Sequence, residues 1–315
     1  MGTLFLTHEA GLGHVTPPGH PERVERLAAV QRALGGPDFA GLIRQEAPPV
    51  SDTDLRRAHP PGYLDRIRAA VPDEGVSDEG WAQLDPDTFV SPGSLEAAYR
   101  AAGGVCAAVD AVIAGAAGNA FVAMRPPGHH AERDVAMGFC LFGSVAIGAL
   151  RALDHHGLAR VAVLDFDVHH GNGTQDILWD EARAMFVSSH QMPLYPGTGA
   201  ASERGAHGNV LNLPLPGGSG AAAMRAVWGP ALDRVAAFAP DLILVSAGFD
   251  AHRADPLAGL SWTEADFTWI TGAICDLADR VCGGRVVSSL EGGYDLDALA
   301  GSVAAHVRVL MERGA

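Results

Sequence analysis

The 315-residue chain contains no lysine; all 22 of its basic residues are arginine. This removes the side-chain amine needed for Schiff-base chemistry, for pyridoxal phosphate and for lysine-dependent phosphate loops. Positive charge is also scarce overall. Against 37 acidic residues the net charge is −15, which speaks against a nucleic-acid binder held by phosphate contacts and mildly favours cationic ligands. The four cysteines, Cys106, Cys140, Cys275 and Cys282, form no CxxC pair and sit in apolar or helical contexts, as buried free thiols do. The N-terminal stretch "MGTLFLTHEAGLGH" has neither a basic segment nor a long apolar run. Export and membrane insertion are therefore not expected, and a reducing cytoplasm is. There is no GxSxG elbow and no evident cysteine nucleophile.

What the chain does have is alternation. Short apolar runs at 3–7, 120–124, 161–167, 184–189, 241–247 and 285–291 are separated by amphipathic stretches near 94–115, 143–156, 219–238, 263–281 and 295–312. A further helix, "PERVERLAAVQRAL", places Pro21 in its first turn and repeats apolar residues at Val24, Leu27 and Leu34. Strands alternating with helices indicate an α/β protein with a largely parallel sheet. No repeat or long linker interrupts the pattern, so residues 1–315 read as one domain. The longest irregular stretch, 72–93, is acidic and reads as an active-site loop.

Chemistry gathers at the ends of the apolar runs. In "LDFDVHHGNG" (164–173), Asp165, Asp167 and His169 share one side if the extended geometry persists. Carboxylates and imidazole behind a buried strand call for a divalent cation. A catalytic zinc takes three protein ligands and keeps one position open. Asp250, ending "DLILVSAGFD", is the best third ligand. An aspartate after a strand ordinarily caps a turn, but here Asp167 and His169 already demand a partner. In "FVAMRPPGHHAE" a stiff turn delivers His129 and His130, and "LEGGYD" lets Tyr294 reach over a cavity. Cation, histidine pair and phenol together make a hydrolase in which a metal-activated water attacks directly.

The motifs "GHPERVERL", "RPPGHHAE", "GFCLF", "DFDVHHGNGTQ", "YPGTG", "SAGFDAHRADPLAG" and "LEGGYD" resemble, in order, those of the histone deacetylase family. They span roughly residues 8–300 and look closer to class II enzymes and their bacterial relatives than to class I. The resemblance implies the arginase–deacetylase fold, a single α/β domain around a parallel sheet of about eight strands. It implies zinc at Asp167, His169 and Asp250, with His130 as general base and acid, oriented by Asn172. His129 becomes the more buried partner, bonded to Asp165, and Tyr294 polarises the scissile carbonyl. It also implies a potassium site from Asp165, the backbone of Asp167 and His169, and Ser188–Ser189. Phe139 and Tyr195 match the walls of an acyl-lysine tunnel with Gly138 at its floor. His170 is left as a packing residue.

The implied substrate is an acetylated amine, most directly acetyl-lysine in a peptide or protein. An acetylpolyamine is the alternative. Leu257 stands where some polyamine deacetylases of the family carry a glutamate. The acidic loop offers Asp78, Glu79, Asp85 and Asp87 instead, with Asp87 the best candidate for gripping a substrate backbone or amine. Gly143 and Ser144 replace the asparagines expected after "GFCLF", which would loosen the following helix start. A binuclear manganese hydrolase of the related arginase group and a catalytically silent acyl-amine-binding protein remain open.

Overall fold

Apolar strands buried on both faces need helices on both sides of their sheet. The computed structural model, which describes residues 1–73 and 80–314, provides them. Eight strands form one parallel sheet: β1 (Thr3–Thr7), β2 (Ile43–Glu46), β5 (Asn119–Val122), β6 (Val161–Asp165), β7 (Ala184–Gln191), β8 (Val210–Leu215), β9 (Leu242–Ala247) and β10 (Val286–Leu290). Their spatial order is β2-β1-β5-β10-β9-β6-β7-β8. A separate antiparallel pair, β3 (Ala82–Gln83) and β4 (Phe89–Val90), lies in the acidic loop. Asp78 and Glu79 fall outside the described residues.

The two cores follow from side-chain alternation along each strand. In β6, Val161 and Val163 pack into one core and Ala162 and Leu164 into the other. The first core lies under α2 (Asp52–Ala58), α3 (Pro61–Ala70), α4 (Ser94–Ile113) and α5 (Ser144–Asp154). The second lies under α1 (Val24–Leu34), α7 (Ala221–Phe238), α8 (Glu264–Cys282) and α9 (Leu296–Arg313). The short α6 (Asn172–Leu178) follows β6. Two helix starts are capped by their own side chains: Thr263 and Asp266 form a capping box on α8, and Asp295 caps α9. The described chain is a single three-layer α/β domain. All four cysteines are free and buried.

Several boundaries differ from the sequence reading. Strand β6 stops at Asp165, so Asp167 and His169 meet on a turn rather than on a continuing strand. Helix α1 begins at Val24, after an extended Arg23, which leaves Pro21 outside it. Strands β2 and β8 have no apolar alternation to betray them. The first, "IRQE", is exposed throughout, and the second contains Pro214, tolerated because β8 is an edge strand. Gly143 does not loosen the start of α5: its backbone N–H donates to His59 Nε2 at 3.0 Å, and a Cβ there would sit 2.6 Å from Ile177.

One buried histidine ties α9 to the sheet and to α8. Thr271 spends its hydroxyl proton on the Phe267 carbonyl (2.6 Å), so His306 Nδ1 donates to Thr271 Oγ1 (2.7 Å). His306 Nε2 then accepts from Ser288 (2.9 Å), which fixes a neutral ring. Burial pushes its pKa down from 6.5 to about 3. A depressed histidine stabilises the fold fully above its unfolded pKa, and that stability is lost as pH falls toward the folded value. The chain should therefore lose stability below pH 6.5, and His306→Gln should remove one proton's share of the slope, about 1.4 kcal/mol per pH unit. Urea unfolding of both proteins from pH 7 to 4 checks this; parallel profiles would contradict it.

Candidate metal centre

The four central strands, β5, β10, β9 and β6, all point their C-terminal ends to one place. This is where open parallel sheets bind ligands, because β10 and β9 intervene between the sequential pair β5 and β6. After β6 come Asp167 and His169, after β9 Asp250, after β5 the pair His129–His130, and after β10 Glu291 through Tyr294.

Asp167, His169 and Asp250 are all buried, and their ligating atoms lie within 4.8 Å of one another. It is the one such cluster found among the described residues. His169 Nδ1 is 3.2 Å from Asp167 Oδ1 and 3.1 Å from Asp250 Oδ2. The backbone holds the carboxylates in place. Val168 N–H donates to Asp250 Oδ1 (2.9 Å) and Gly292 N–H to Asp167 Oδ2 (2.9 Å). Only glycine allows that approach, since a Cβ on Gly292 would lie 2.1 Å from Asp250 Oδ2. Burial and the neighbouring Asp167 push Asp250 up to about 7. Burial disfavours a charged His169, but hydrogen bonds to Asp167 and Asp250 outweigh it and raise its pKa to about 10. Two carboxylates and an imidazole, all buried, fit a divalent cation such as zinc.

The histidine pair divides by environment. His129 Nδ1 lies 3.0 Å from Asp165 Oδ2 and His130 Nδ1 lies 2.7 Å from Asn172 Oδ1. Burial works against charge on both rings. At His129, Asp167 and Asp165 overcome it and raise the pKa well above the ordinary value. At His130, burial is reinforced by His129 and His169, and the pKa falls well below. The two rings lie side by side at a tilt of 45°, with centres 4.0 Å apart. Glu291, which the sequence reading passed over, accepts from the backbone N–H groups of Gly128 and His129 at 2.7 and 3.1 Å.

A pocket of about 220 Å³ opens over His169 and His130. Its walls are Asp87, Gly138, Phe139, Leu194, Tyr195, Leu257 and Tyr294. The structure thus brings Asp87, Gly138, Phe139, Tyr195 and Leu257 together and adds Leu194, whereas Asp85 does not line this pocket. Gly138 stands against His130, where a Cβ would come within 2.4 Å of the ring. Phe139 adopts a left-handed φ of 68°. The Tyr294 hydroxyl keeps its proton, because burial raises its pKa well above 10 and the nearby carboxylates add to this against Arg26.

The residues named for potassium are placed less uniformly. Asp165 uses Oδ2 for His129 and Oδ1 for the N–H of Asp167 (3.0 Å). The Ser188 hydroxyl is bonded to His190 Nδ1, whereas that of Ser189 accepts from Trp228 in the opposite core. His170 ties the metal segment to the Tyr195 loop, with Nδ1 at 2.8 Å from Thr198 Oγ1.

A buried ion network with no local signature in the sequence lies behind the pocket. Glu22 binds Arg26 (2.9 Å) and both ends of the Arg125 fork (2.5 and 2.6 Å). Burial opposes its charge, but Arg125, His14 and Arg26 outweigh that and hold its carboxyl well below the usual range. Arg26 in turn donates to the carbonyls of Gly293 (2.6 Å) and Glu291 (2.5 Å) and lies 4.9 Å over the Tyr294 ring. The amphipathic pattern of α1 assigns such charges to solvent, and Arg125 is 103 residues away, so no local signal reveals the pairing.

Comparisons with known proteins place the chain in a family. Residues 20–310 match the histone deacetylase domain. The chain is 43% identical over 305 residues to a histone deacetylase-like amidohydrolase of Pseudomonas aeruginosa, covering 93% of this chain and 78% of that protein. It is 39% identical to histone deacetylase 10, chloroplastic, of Oryza sativa, covering 98% and 73%. A probable deacetylase of Archaeoglobus fulgidus is 36% identical over 94% of this chain and 82% of its own. The crystal structure of the HDA15 HD domain superposes with a TM-score of 0.91 at 33% identity, over 99% of this chain and 89% of that one. The fold is therefore the arginase–deacetylase fold. The chain belongs to the histone deacetylase family, whose members are deacetylases and amidohydrolases acting on acetylated amines. No described helix is long and apolar enough to cross a membrane.

Glu22→Gln should leave Arg26 and Arg125 buried without a counter-charge. Breaking such a pair from one side costs about 3–5 kcal/mol. Chemical denaturation should show that loss; unchanged stability would mean that the arginines find other partners.

Proposed function

We propose that the chain is a zinc-dependent amidohydrolase that removes an acetyl or other short acyl group from an amine, acetyl-lysine in a peptide or protein being the substrate class. One observation carries the reading. The Asp167–His169–Asp250 cluster, the neutral His130 and the protonated Tyr294 converge on a single pocket with apolar walls. A bound zinc supplies Lewis acidity and a water of lowered pKa. His130, held at Nδ1 by Asn172, receives the water's proton at its free Nε2 and returns it to the departing amine. His129 stays charged against Asp165 and stabilises negative charge beside the cluster. Tyr294 donates a hydrogen bond to the carbonyl oxygen as charge develops there. Amide and water thus become carboxylate and amine without a covalent enzyme intermediate.

Phe139 and Tyr195 would flank the acyl-bearing alkyl chain, with Leu257 completing an apolar wall. Asp87 favours a second reading, an acetylpolyamine, because this half-buried carboxylate lies at the pocket beside Asp85. A potassium ion would be held by Asp165, the backbone of Asp167 and His169, and Ser188–Ser189. Four free cysteines suit the reducing cytoplasm we assign to the chain.

Turnover of a fluorogenic acetyl-lysine peptide, compared with acetylated polyamines, separates the substrates; turnover of neither refutes both. Metal analysis should find one zinc per chain, lost together with activity on chelation. Two manganese ions would instead indicate a binuclear hydrolase. Tyr294→Phe should keep the metal and lower kcat about 100-fold or more. Full activity in that variant would remove Tyr294 from its oxyanion role.

A further inference from the structure

His130 can serve as a base only if its proton sits on Nδ1, leaving Nε2 free. Asn172 alone does not secure this. An asparagine amide offers an oxygen on one side and an NH₂ on the other, and either can face an imidazole nitrogen. With the NH₂ toward His130, Nδ1 would have to accept and the proton would move to Nε2.

The amide of Asn172 is held one way round from its far side. Its Nδ2 donates to Glu132 Oε1 at 2.7 Å and approaches Met137 Sδ at 3.3 Å. An ionised carboxylate only accepts, and so does a thioether. Both contacts therefore demand the NH₂ and leave Oδ1 toward His130 Nδ1, at 2.7 Å. Since Oδ1 only accepts, Nδ1 must donate. The direction of every bond in the chain Glu132–Asn172–His130 is set by its outermost member.

We propose that Glu132 is a positioning residue that fixes the tautomer of His130 through Asn172. The claim rests on the deacetylase reading for its effect on turnover, but not for its effect on the ring. Glu132 is two residues beyond His130, in a tight segment closed by its own N–H to the Val135 carbonyl at 3.0 Å. Asn172 is buried whereas Glu132 is only half-buried, so substitution at 132 reaches the amide from the rim of the protein without opening the core.

Three variants of the zinc-loaded full chain test this. Glu132→Leu removes the acceptor, Glu132→Gln keeps an acceptor oxygen, and Glu132→Lys replaces acceptor by donor. Long-range proton–nitrogen NMR correlations of the His130 ring, at one fixed pH, report the tautomer directly. The parent and E132Q should show Nδ1–H, E132L a mixture, and E132K a shift toward Nε2–H. With acyl-lysine peptide, E132L should lose about 10- to 100-fold in kcat, with KM and zinc content unchanged. E132Q should return to within about threefold of the parent. Because Glu132 acts through Asn172, the double variant E132L/N172L should be no slower than N172L. A parental ring spectrum in both E132L and E132K, or losses that multiply in the double variant, would overturn the proposal. If the parent turned over no acylated amine, the deacetylase reading would fail while the ring spectra still decided the role of Glu132.

Discussion

The Glu22 carboxylate is the interaction on which the rest of the site depends. It is fully buried, it meets two fully buried guanidinium groups, and each of these reaches on to backbone carbonyls. Arg125 grips the carbonyls of Gly11 and His14 (2.8 and 3.1 Å), and Arg26 those of Glu291 and Gly293. Three sequence motifs separated by more than a hundred residues are clamped to one anion. The net worth of such a network is small, because desolvation of the three charges offsets most of their attraction. Its value is geometric. Arginine forks fix where the loops carrying His129, His130 and Tyr294 leave the sheet, to tolerances that apolar packing alone does not impose.

That fixed frame is what permits the close approaches at the metal centre. Three glycines stand where a single methyl group would collide with a functional atom: Gly248 against Asp167, Gly292 against Asp250 and Gly138 against His130. Each lets backbone pack closely against a carboxylate or ring, and the N–H of Gly292 also donates to Asp167 Oδ2. The centre is built of backbone as much as of side chains.

What the sequence disclosed follows the same division. The strands β1, β5, β6, β7, β9 and β10 are apolar on both faces and stand out as runs, and their ends carry Asp167, His169, Asp250, His130 and Tyr294. Residue type at a strand terminus is a local signal. Strands β2 and β8 do not stand out, because an edge strand need not be apolar on both sides. Glu22, Arg26, Glu132 and Glu291 gained no role because their meaning lies in partners distant in sequence, and a charged residue on a helix or in a loop is ordinarily solvated. The turn after Asp165 was hidden for a related reason. Alternation of Asp165, Asp167 and His169 mimics a strand, but the hydrogen bonds of Asp167 and His169 N–H to the aspartate two residues before each close local turns instead.

The pocket wall shows how local strain is carried by the surrounding structure. Phe139 holds a φ of 68°, costly for a residue with a Cβ. Its backbone N–H is captured by Thr88 Oγ1 at 3.0 Å, and that of Gly138 by Asp87 Oδ1 at 3.2 Å. His20 packs edge-on against the ring at 4.8 Å and donates from Nε2 to the Asp87 carbonyl at 3.0 Å. The acidic loop is thus bound to the corner it overhangs. Relaxing Phe139 to an ordinary φ would turn its ring away from Tyr294, now 5.8 Å distant, and would break the contact of Gly138 with His130. Asp87 therefore has a structural duty at the same atom that makes it a candidate for holding substrate. A loss of activity on changing Asp87 would not by itself separate the two, and Thr88 is tied to both, because the hydroxyl that accepts from Phe139 N–H donates to Asp87 Oδ1 at 3.0 Å. The strained corner and the acidic rim are one mechanical unit, and the width of the pocket is set where they meet.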